Sequence, residues 1–267
     1  MTANSSTRPV AVVTGGARGI GRGLGQWFLA NGYRVALLDI DADTLLPAAA
    51  AAAASVQDAG RVMAVHCDVA DPAQVQSAME KVDAGFGRID ALVNNAGVAV
   101  FKPMGETTFE EWRKILSVNL DGAFLCSQAC VPIMKRTGSG SIVNIASISG
   151  LRASTLRVAY GTSKAALIQL TRQQAVELGT IGIRANVIAP GPVDTEMAKL
   201  VHSAAIRSDY HDVIPLGRYG TVEEIASAVG FLCSPAASYV NGQVLAVDGG
   251  FESAGVGLPT LRKTQGS

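Results

Sequence analysis

The segment VAYGTSKAAL (158–167) places a tyrosine and a lysine four residues apart among small side chains. In a helix, Tyr160 and Lys164 would lie on one face, about one turn apart. Free tyrosine, with a pKa of about 10, is a poor base at neutral pH, and a nearby cation favours its ionised form. The spacing predicts either two solvated side chains or a proton-transferring pair, as the oxidation of an alcohol requires.

Two polar residues earlier in the chain can join this pair. Ser147 ends the apolar run SIVNIAS, and Asn119 lies in LSVNLDGAF, a predicted helix. Alone, Ser147 would more often make a local hydrogen bond at a strand end, and Asn119 would be a polar residue that interrupts a helix. Beside a proton-transferring tyrosine, Ser147 would instead hold the substrate oxygen and stabilise its developing charge.

A glycine-rich turn, TGGARGIG at 14–21, follows the first apolar run and opens a predicted helix. Gly15, Gly19 and Gly21 give the spacing TGxxxGxG. Glycine permits positive φ and lets backbone N–H groups approach a pyrophosphate at a helix N-terminus. In this strand–turn–helix context, the pattern predicts a dinucleotide-binding loop.

The choice between NAD and NADP depends on Asp39, which ends the second predicted strand. A carboxylate there accepts hydrogen bonds from the ribose hydroxyls and repels a 2′-phosphate. Its alternative role is a helix N-cap, for which Asp41 and Asp43 are better placed. Arg18, inside the glycine loop, would pair with a 2′-phosphate. Because Ile40 rather than a basic residue follows Asp39, the sequence predicts NAD.

Short apolar runs alternate with helical stretches along the chain and predict the elements that position these residues. The predicted strands are 10–14, 34–39, 61–68, 89–95, 141–147, 183–190 and 243–250. Strands that are apolar on both faces and separated by helices predict a parallel sheet covered on both sides. We therefore expect an α/β fold, a single Rossmann-type doubly wound domain over 9–251, between a flexible N-terminus (1–8) and a C-terminal tail (252–267).

The composition excludes several classes of protein. Hydrophobic residues make up 48% of the 267 residues and charged residues 16%, which excludes global disorder. The 22 basic residues balance the 22 acidic ones, so nucleic-acid binding and electrostatic membrane binding are not expected. The N-terminus has no signal-peptide pattern, and no apolar run is long enough for a membrane span. The four cysteines lack C-x-x-C spacing and predict reduced thiols in a cytoplasmic protein without a metal site.

The order and spacing of the motifs resemble the classical short-chain dehydrogenases/reductases over about residues 8–251. The matching segments are the glycine loop at 14–21, NNAG at 94–97, Asn119, Ser147, Y-x-x-x-K at 160–164, PGPVDT at 190–195 and VDGG at 247–250. The resemblance implies an NAD-dependent oxidoreductase that interconverts a secondary alcohol and a ketone, with Tyr160 as general acid/base. It also implies that Lys164 hydrogen-bonds the nicotinamide ribose and that Asn119 helps to position a water.

The same resemblance implies further cofactor contacts. Asp68 and Val69 would bind the adenine, the turn at 94–97 would line the cofactor, and Val193 with Thr195 would contact the nicotinamide amide and phosphates. The complete predicted cofactor set is Gly15, Arg18, Gly19, Ile20, Gly21, Asp39, Asp68, Val69, Asn95, Ala96, Gly97, Tyr160, Lys164, Pro190, Gly191, Val193 and Thr195.

The substrate side is less determined by the sequence. The segment 194–217 predicts an amphipathic lid, on which solvated histidines are commoner than substrate ligands. Arg152 and Arg157 could bind an anionic group, although solvated surface arginines are the commoner case. The tail could dock on a neighbouring subunit through Leu258 and Leu261, and the resemblance implies a homotetramer or a dimer.

Two other functions compete with an alcohol dehydrogenase. One is a 3-oxoacyl-(acyl-carrier-protein) reductase that uses NADPH, which Arg18 favours and Asp39 opposes. The other is a non-catalytic NAD-sensing protein, which the intact set of Ser147, Tyr160 and Lys164 opposes. The sequence does not name the alcohol.

Overall fold

The computed structural model of the protein describes residues 8–255. Seven parallel strands form one sheet in the order β3-β2-β1-β4-β5-β6-β7. The strands are β1 Val10–Thr14, β2 Arg34–Asp39, β3 Val62–His66, β4 Ala91–Asn94, β5 Gly140–Ile145, β6 Ile183–Pro190 and β7 Val244–Val247. The predicted doubly wound α/β fold is therefore confirmed. The predicted docking residues Leu258 and Leu261 lie outside the described residues.

Helices connect the strands and cover the sheet. They are α1 Gly19–Ala30, α2 Ala42–Val56, α3 Pro72–Phe86, α4 Phe109–Leu116, α5 Gly122–Thr137, α6 Ile148–Leu151, α7 Val158–Gly179, α8 Glu196–Val201, α9 Ala204–Val213 and α10 Val222–Cys233. A π-helical turn, Ser117–Asp121, joins α4 to α5 without a break. The small-residue run 48–54 belongs to α2, as its composition predicts, and Asp41 is the N-cap of that helix.

The core lies on both faces of the sheet because successive strand residues point in opposite directions. On β1, Val10 and Val12 pack on one side with residues of α3 and α5. Ala11 and Val13 pack on the other side with residues of α1, α2 and α10. Burial on both sides explains why the strand sequence is continuously apolar instead of alternating.

The long helical run Phe109–Thr137 is, by length and composition, the one candidate membrane span within residues 8–255. In the structure its second half packs on the sheet, where Cys126, Cys130 and Met134 are fully buried in the core. Core helices of soluble proteins pass the same test of length and hydropathy.

The strand order reverses at the boundary between β1 and β4. Their following connections leave the sheet in opposite directions, which opens a crevice at the carboxyl edge of the strands, where open α/β sheets bind ligands. Most of the predicted site residues follow the carboxyl ends of strands and so meet at this edge.

Candidate active site

The glycine loop between β1 and α1 is shaped by contacts that only glycine allows. Gly15 and Gly19 have φ angles of +63° and +53°, in the left-handed region that disfavours side chains. A Cβ atom on Gly21 would lie 1.9 Å from the carbonyl oxygen of Gly15. The glycines thus let the loop fold tightly on itself at the start of α1, as a pyrophosphate-binding turn requires.

The turn after β4 is held to the end of β1 by Thr14. The Thr14 hydroxyl accepts hydrogen bonds from the backbone N–H groups of Asn95 and Ala96, each 3.0 Å long. The Asn95 amide donates to the carbonyl oxygens of Thr14 and Gly15, at 3.0 and 3.1 Å. Thr14, the first residue of the TGxxxGxG spacing, is a site residue that the glycine pattern alone does not reveal.

The carboxylate of Asp39 faces the glycine loop at the end of β2. It accepts hydrogen bonds from the backbone N–H groups of Ala17 and Asp41, each 3.0 Å long. The Arg18 guanidinium forms an ion pair with Asp41 and also donates to Thr44. The sequence predicted that Asp39 would favour NAD and that Arg18 would favour NADP. In the structure, Asp41 pairs with Arg18 and neutralises its charge.

The predicted adenine-binding pair follows β3, beside Asp39. The Asp68 carboxylate accepts from the backbone N–H of Ala70 at 2.9 Å, and its own backbone N–H donates to Gln74. Val69 is 6% exposed, and a Cβ on Gly122 would lie 2.8 Å from its side chain. Both residues therefore have fixed positions at the carboxyl edge of the sheet.

The loop after β6 faces the glycine loop across the crevice. Gly191 donates its backbone N–H to Val247 at 3.0 Å, and Val193 pairs with Gly220 in an isolated bridge. Thr195 is the N-cap of α8, and a Cβ on Gly19 would lie 3.9 Å from its methyl group. The glycine loop, the Asp39 carboxylate and this loop together form a cradle that fits a dinucleotide.

Lys164 is buried beneath this cradle. The residue is 3% exposed, and its ammonium donates to the carbonyl oxygen of Ile145 at 2.8 Å and lies 5.7 Å from the ring centre of Tyr160. Burial lowers the pKa of Lys164 to about 8. A Cβ on Gly97 would lie 3.4 Å from the ammonium, so the glycine at the end of the NNAG turn avoids a tight contact with this group.

Tyr160 lies one turn before Lys164 on α7, and Ser147 approaches it from the end of β5. Burial raises the pKa of Tyr160, whereas a hydrogen bond with Ser147 and the charge of Arg157 lower it. The sequence predicted Lys164 in this lowering role. In the structure, the groups that lower the pKa of Tyr160 are Ser147 and Arg157, while the ammonium is hydrogen-bonded to Ile145.

Ser147 was predicted as the last residue of the fifth strand, but β5 ends two residues earlier. Its extended backbone and its hydroxyl, which accepts from the N–H of Ser149 at 3.1 Å, make it the N-cap of α6. The capping contact fixes the hydroxyl at the carboxyl edge of the sheet.

Asn119 lies in the π-helical turn between α4 and α5 instead of a regular helix. Its side-chain oxygen accepts from the N–H of Val98, and its amide donates to the Val98 carbonyl and to Ser163. Ser163 in turn donates to the Tyr160 carbonyl at 2.7 Å. In this arrangement, the Asn119 side chain joins the NNAG turn to the helix that carries Tyr160.

Helices α8 and α9 cover the open side of the site and correspond to the predicted lid. His211 is exposed, as predicted for a helix-face histidine. His202 is not solvated on a helix face, because its Nδ1 lies 3.0 Å from the Tyr219 hydroxyl. Asp194, the first residue of the predicted lid segment, pairs with Arg207 at 2.7 Å.

Comparisons with known proteins agree with this geometry. A family model described as Enoyl-(Acyl carrier protein) reductase matches residues 15–252. D-threitol dehydrogenase of Mycolicibacterium smegmatis is 40% identical over 242 residues, which are 91% of this chain and 92% of the relative. A 3-oxoacyl-(acyl-carrier-protein) reductase of Chlamydia muridarum is 38% identical over 242 residues, 90% of this chain and 96% of the relative.

Among solved structures, a gluconate 5-dehydrogenase of Burkholderia cenocepacia in complex with NADP and tartrate superposes with a TM-score of 0.85. It is 36% identical and covers 92% of this chain and 96% of its own. The similar proteins therefore include a D-threitol dehydrogenase, a 3-oxoacyl-(acyl-carrier-protein) reductase and a gluconate 5-dehydrogenase.

Proposed function

The chain belongs to the short-chain dehydrogenase/reductase family, and from this we propose that it interconverts a secondary alcohol and a ketone with NAD as cofactor. Members of this family are oxidoreductases that bind a nicotinamide dinucleotide. The observation that carries the proposal is the approach of Ser147, Tyr160 and Lys164 at the carboxyl edge of β5, beside the dinucleotide cradle. When bound, the nicotinamide supplies or accepts the hydride.

In the proposed reaction, Tyr160 moves the proton of the substrate hydroxyl. Ser147 holds the substrate oxygen and, through its hydrogen bond with Tyr160, favours the ionised phenol. Lys164, which is charged below a pH of about 8, supplies a cation within 5.7 Å of the Tyr160 ring centre. Asn119 acts as a positioning residue, because its side-chain contacts go to Val98 and Ser163.

The proposed preference for NAD is supported by two carboxylates. Asp39 lies at the end of β2 beside the glycine loop, where a carboxylate that accepts from the ribose hydroxyls would oppose a 2′-phosphate. Asp41 pairs with Arg18, so the one basic residue in the glycine loop is engaged before a phosphate arrives. A phosphate at this place would have to displace an existing ion pair and approach Asp39.

The acyl-carrier-protein reductase from Chlamydia muridarum supports a second candidate, an NADPH-dependent reductase of acyl thioesters. An acidic carrier protein would need free basic side chains near the cleft. Lys102 and Arg207 lie beside the cleft, but they pair with Glu111 and Asp194. These two ion pairs reduce the positive charge that the cleft offers to a carrier protein, which favours a small-molecule alcohol.

Initial rates followed at 340 nm, with NAD(H) and NADP(H) on panels of secondary alcohols, ketones and acetoacetyl thioesters, test the proposal. We expect at least tenfold higher kcat/KM with NAD on a secondary alcohol. Asp39→Asn should raise the efficiency with NADP, whereas the matched variant Asp43→Asn, in the first turn of α2, should leave it unchanged. A wild-type preference for NADPH and a thioester would establish the second candidate instead.

We also propose that the chain self-associates, as a homotetramer or a dimer, through the outer faces of α4, α5 and α7. Three large apolar side chains on these helices are exposed: Phe109 by 77%, Phe124 by 47% and Val176 by 73%. Burying such side chains stabilises an interface by about 1.5–3 kcal/mol each. Light scattering of Phe124→Asp should show a smaller particle than wild type, and an unchanged mass would place the interface elsewhere.

A further inference from the structure

Arg157 lies directly above the catalytic tyrosine, and the function proposed above gives it no role. It precedes α7 by one residue, and its backbone pairs with Lys102 in an isolated bridge. Its guanidinium carbon lies 4.6 Å from the ring centre of Phe101 and 5.8 Å from that of Tyr160. Two aromatic rings on different segments therefore fix the position of this cation at the cleft.

The other cations around the cleft are engaged by the chain itself. Lys102 pairs with Glu111, and Arg207 pairs with Asp194. Arg152 donates to the backbone carbonyls of Phe251 and Glu252. By contrast, no hydrogen bond or ion pair joins the Arg157 guanidinium to another residue between positions 8 and 255, although the backbone carbonyl of Arg157 accepts from the N–H of Gly161.

The unpaired charge of Arg157 acts on the interior of the cleft. Burial raises the pKa of Tyr160, and the Arg157 charge opposes that rise; burial lowers the pKa of His202, which lies between α8 and α9, and the charges of Arg157 and Arg207 lower it further. A charge that acts on both the catalytic helix and the lid is directed into the space between them. Arg157 is half-buried, so it also has less water than a surface arginine to satisfy its five N–H donors.

Stacking leaves one part of the guanidinium available. Aromatic rings contact the face of the planar group, whereas its N–H donors point outward in the plane. A carboxylate binds in that plane through two parallel hydrogen bonds. A guanidinium that lies over the rings of Phe101 and Tyr160 in this way keeps its N–H donors available for a planar oxyanion.

We propose that Arg157 binds an anionic group of the substrate, preferentially a carboxylate, so that the alcohol is a short-chain hydroxy acid and the product a keto acid. This inference rests on the alcohol dehydrogenase function proposed above. The guanidinium carbon lies 5.8 Å from the Tyr160 ring centre, which favours a substrate whose carboxylate and carbinol carbon are separated by only a few bonds. A neutral polyol of the same length would leave the cation without a counter-charge.

Matched substrate pairs test this inference. A series of 2-, 3- and 4-hydroxy acids is compared with the corresponding primary amides, which keep size and planarity but lose the charge. We expect wild type to prefer an acid over its amide by at least tenfold in kcat/KM. Arg157→Gln should reduce this acid-to-amide ratio by about 10- to 150-fold, the loss expected for hydrogen bonds to a charged group. Arg157→Lys should retain part of the preference.

The ratio is the decisive quantity because any effect of Arg157 on the pKa of Tyr160 changes both substrates of a pair equally. Arg152→Gln is the matched control, since it removes a guanidinium of the same loop that is already bound to backbone carbonyls, and its ratio should equal that of wild type. Equal efficiencies of wild type with acid and amide, or a ratio unchanged in Arg157→Gln, would overturn the inference. Preference for a sulfonate or phosphate analogue over every carboxylate would overturn its choice of oxyanion.

A binding measurement separates this inference from the function on which it rests. Calorimetry with NAD present should detect butyrate but not butyramide, and Arg157→Gln should abolish the difference. If no alcohol, neutral or acidic, reduces NAD or NADP, the proposed function fails, yet the butyrate titration still supports or overturns the anion site. If neutral alcohols react and butyrate does not bind, only the anion site fails.

Discussion

The two sides of the cleft are built from different kinds of contact. On the nucleotide side, formed by the loops after β1, β2 and β4, the contacts involve the backbone: Thr14 and Asp39 accept from backbone N–H groups, and Asn95 donates to backbone carbonyls. On the substrate side, formed by the lid helices α8 and α9 and the loop that carries Phe101, side chains contact side chains. Examples are the pairs His202–Tyr219 and Asp194–Arg207.

This difference indicates which part of the site can change in sequence without displacing the cofactor cradle. Backbone contacts depend on the path of the chain, so a change on the nucleotide side displaces the loop itself. Side-chain contacts on the lid can be exchanged without moving the strands that hold the cofactor cradle. Two relatives with different substrates, a D-threitol dehydrogenase and a 3-oxoacyl-(acyl-carrier-protein) reductase, are 40% and 38% identical to this chain. Such a range of substrates at similar identity is expected if the substrate side varies while the nucleotide side is kept.

The largest effect is expected for Tyr160→Phe, because Tyr160 lies between the two sides and is the residue proposed to transfer the proton of the substrate. Loss of the proton-transferring hydroxyl should lower kcat by about 10²- to 10⁴-fold. The dissociation constant of NAD, measured by fluorescence titration, should stay within a few fold of wild type, since the nucleotide side is unaltered. Tyr239→Phe, at a fully exposed tyrosine, is the control and should have wild-type kcat. A Tyr160→Phe enzyme within tenfold of wild type would contradict the assigned role.

Gly21→Ala tests the nucleotide side of the cleft, whose contacts involve the backbone. The new Cβ would lie 1.9 Å from the Gly15 carbonyl, so either the loop or α1 has to shift. We expect a loss of about 1–3 kcal/mol in the free energy of unfolding, together with a loss of NAD affinity. Chemical unfolding and fluorescence titration measure the two effects. Gly105→Ala, where no atom lies within 4 Å of the new Cβ, should change neither; normal NAD binding by Gly21→Ala would show that the loop adapts.

The same division explains how much the sequence could predict. The seven strands and the glycine loop were predictable, because burial and backbone conformation restrict residue type locally. Asp39 was placed correctly at the end of β2, but its neighbour Asp41 was predicted only as a cap, since its pairing with Arg18 joins segments 23 residues apart. Ser147 illustrates the limit at element ends, where a helix cap and a strand end use the same polar residue.

The lid could not be predicted to the same depth. The amphipathic pattern of 194–217 indicated a cover over the site, but not that His202 would contact Tyr219 or that Arg207 would pair with Asp194. These contacts depend on the relative positions of α8, α9 and the loop before α10. Arg157 was predicted as either a surface or an anion-binding residue, and only the stacking on Phe101 and Tyr160 distinguishes these cases.

The burial of the Lys164 ammonium can be tested through the pH dependence of the stability of the protein. Its pKa is about 8 in the folded chain, compared with 10.5 for a free lysine. Between these pH values the unfolded chain binds a proton that the folded chain does not, so this residue makes the folded chain more stable as pH rises. The cost of burying the charge, about 3 kcal/mol, is present below pH 8 and is lost as pH approaches 10.5.

Lys164→Met removes this titration. We therefore expect the free energy of unfolding of the variant, measured with urea between pH 7 and 10.5, to exceed that of wild type by most at pH 7 and by least at pH 10.5. Lys81→Met, at an exposed lysine of α3, is the control for general effects of alkaline pH and should give a constant difference. A constant difference for Lys164→Met as well would mean that the ammonium is hydrated in the folded chain.

The smallest effect is expected on the substrate side, for Tyr219→Phe. Tyr219 is 6% exposed, and its hydroxyl lies 3.0 Å from His202 Nδ1, so the variant removes one hydrogen bond from the lid without creating a cavity. Such a bond contributes about 0.5–1.5 kcal/mol, which corresponds to a rise in KM of about 2- to 12-fold at nearly constant kcat. Steady-state kinetics measure KM, and fluorescence titration should give an unchanged dissociation constant for NAD. If NAD binding weakened as much as KM rose, the lid contacts would be coupled to the nucleotide side, and the two sides of the cleft would form a single unit.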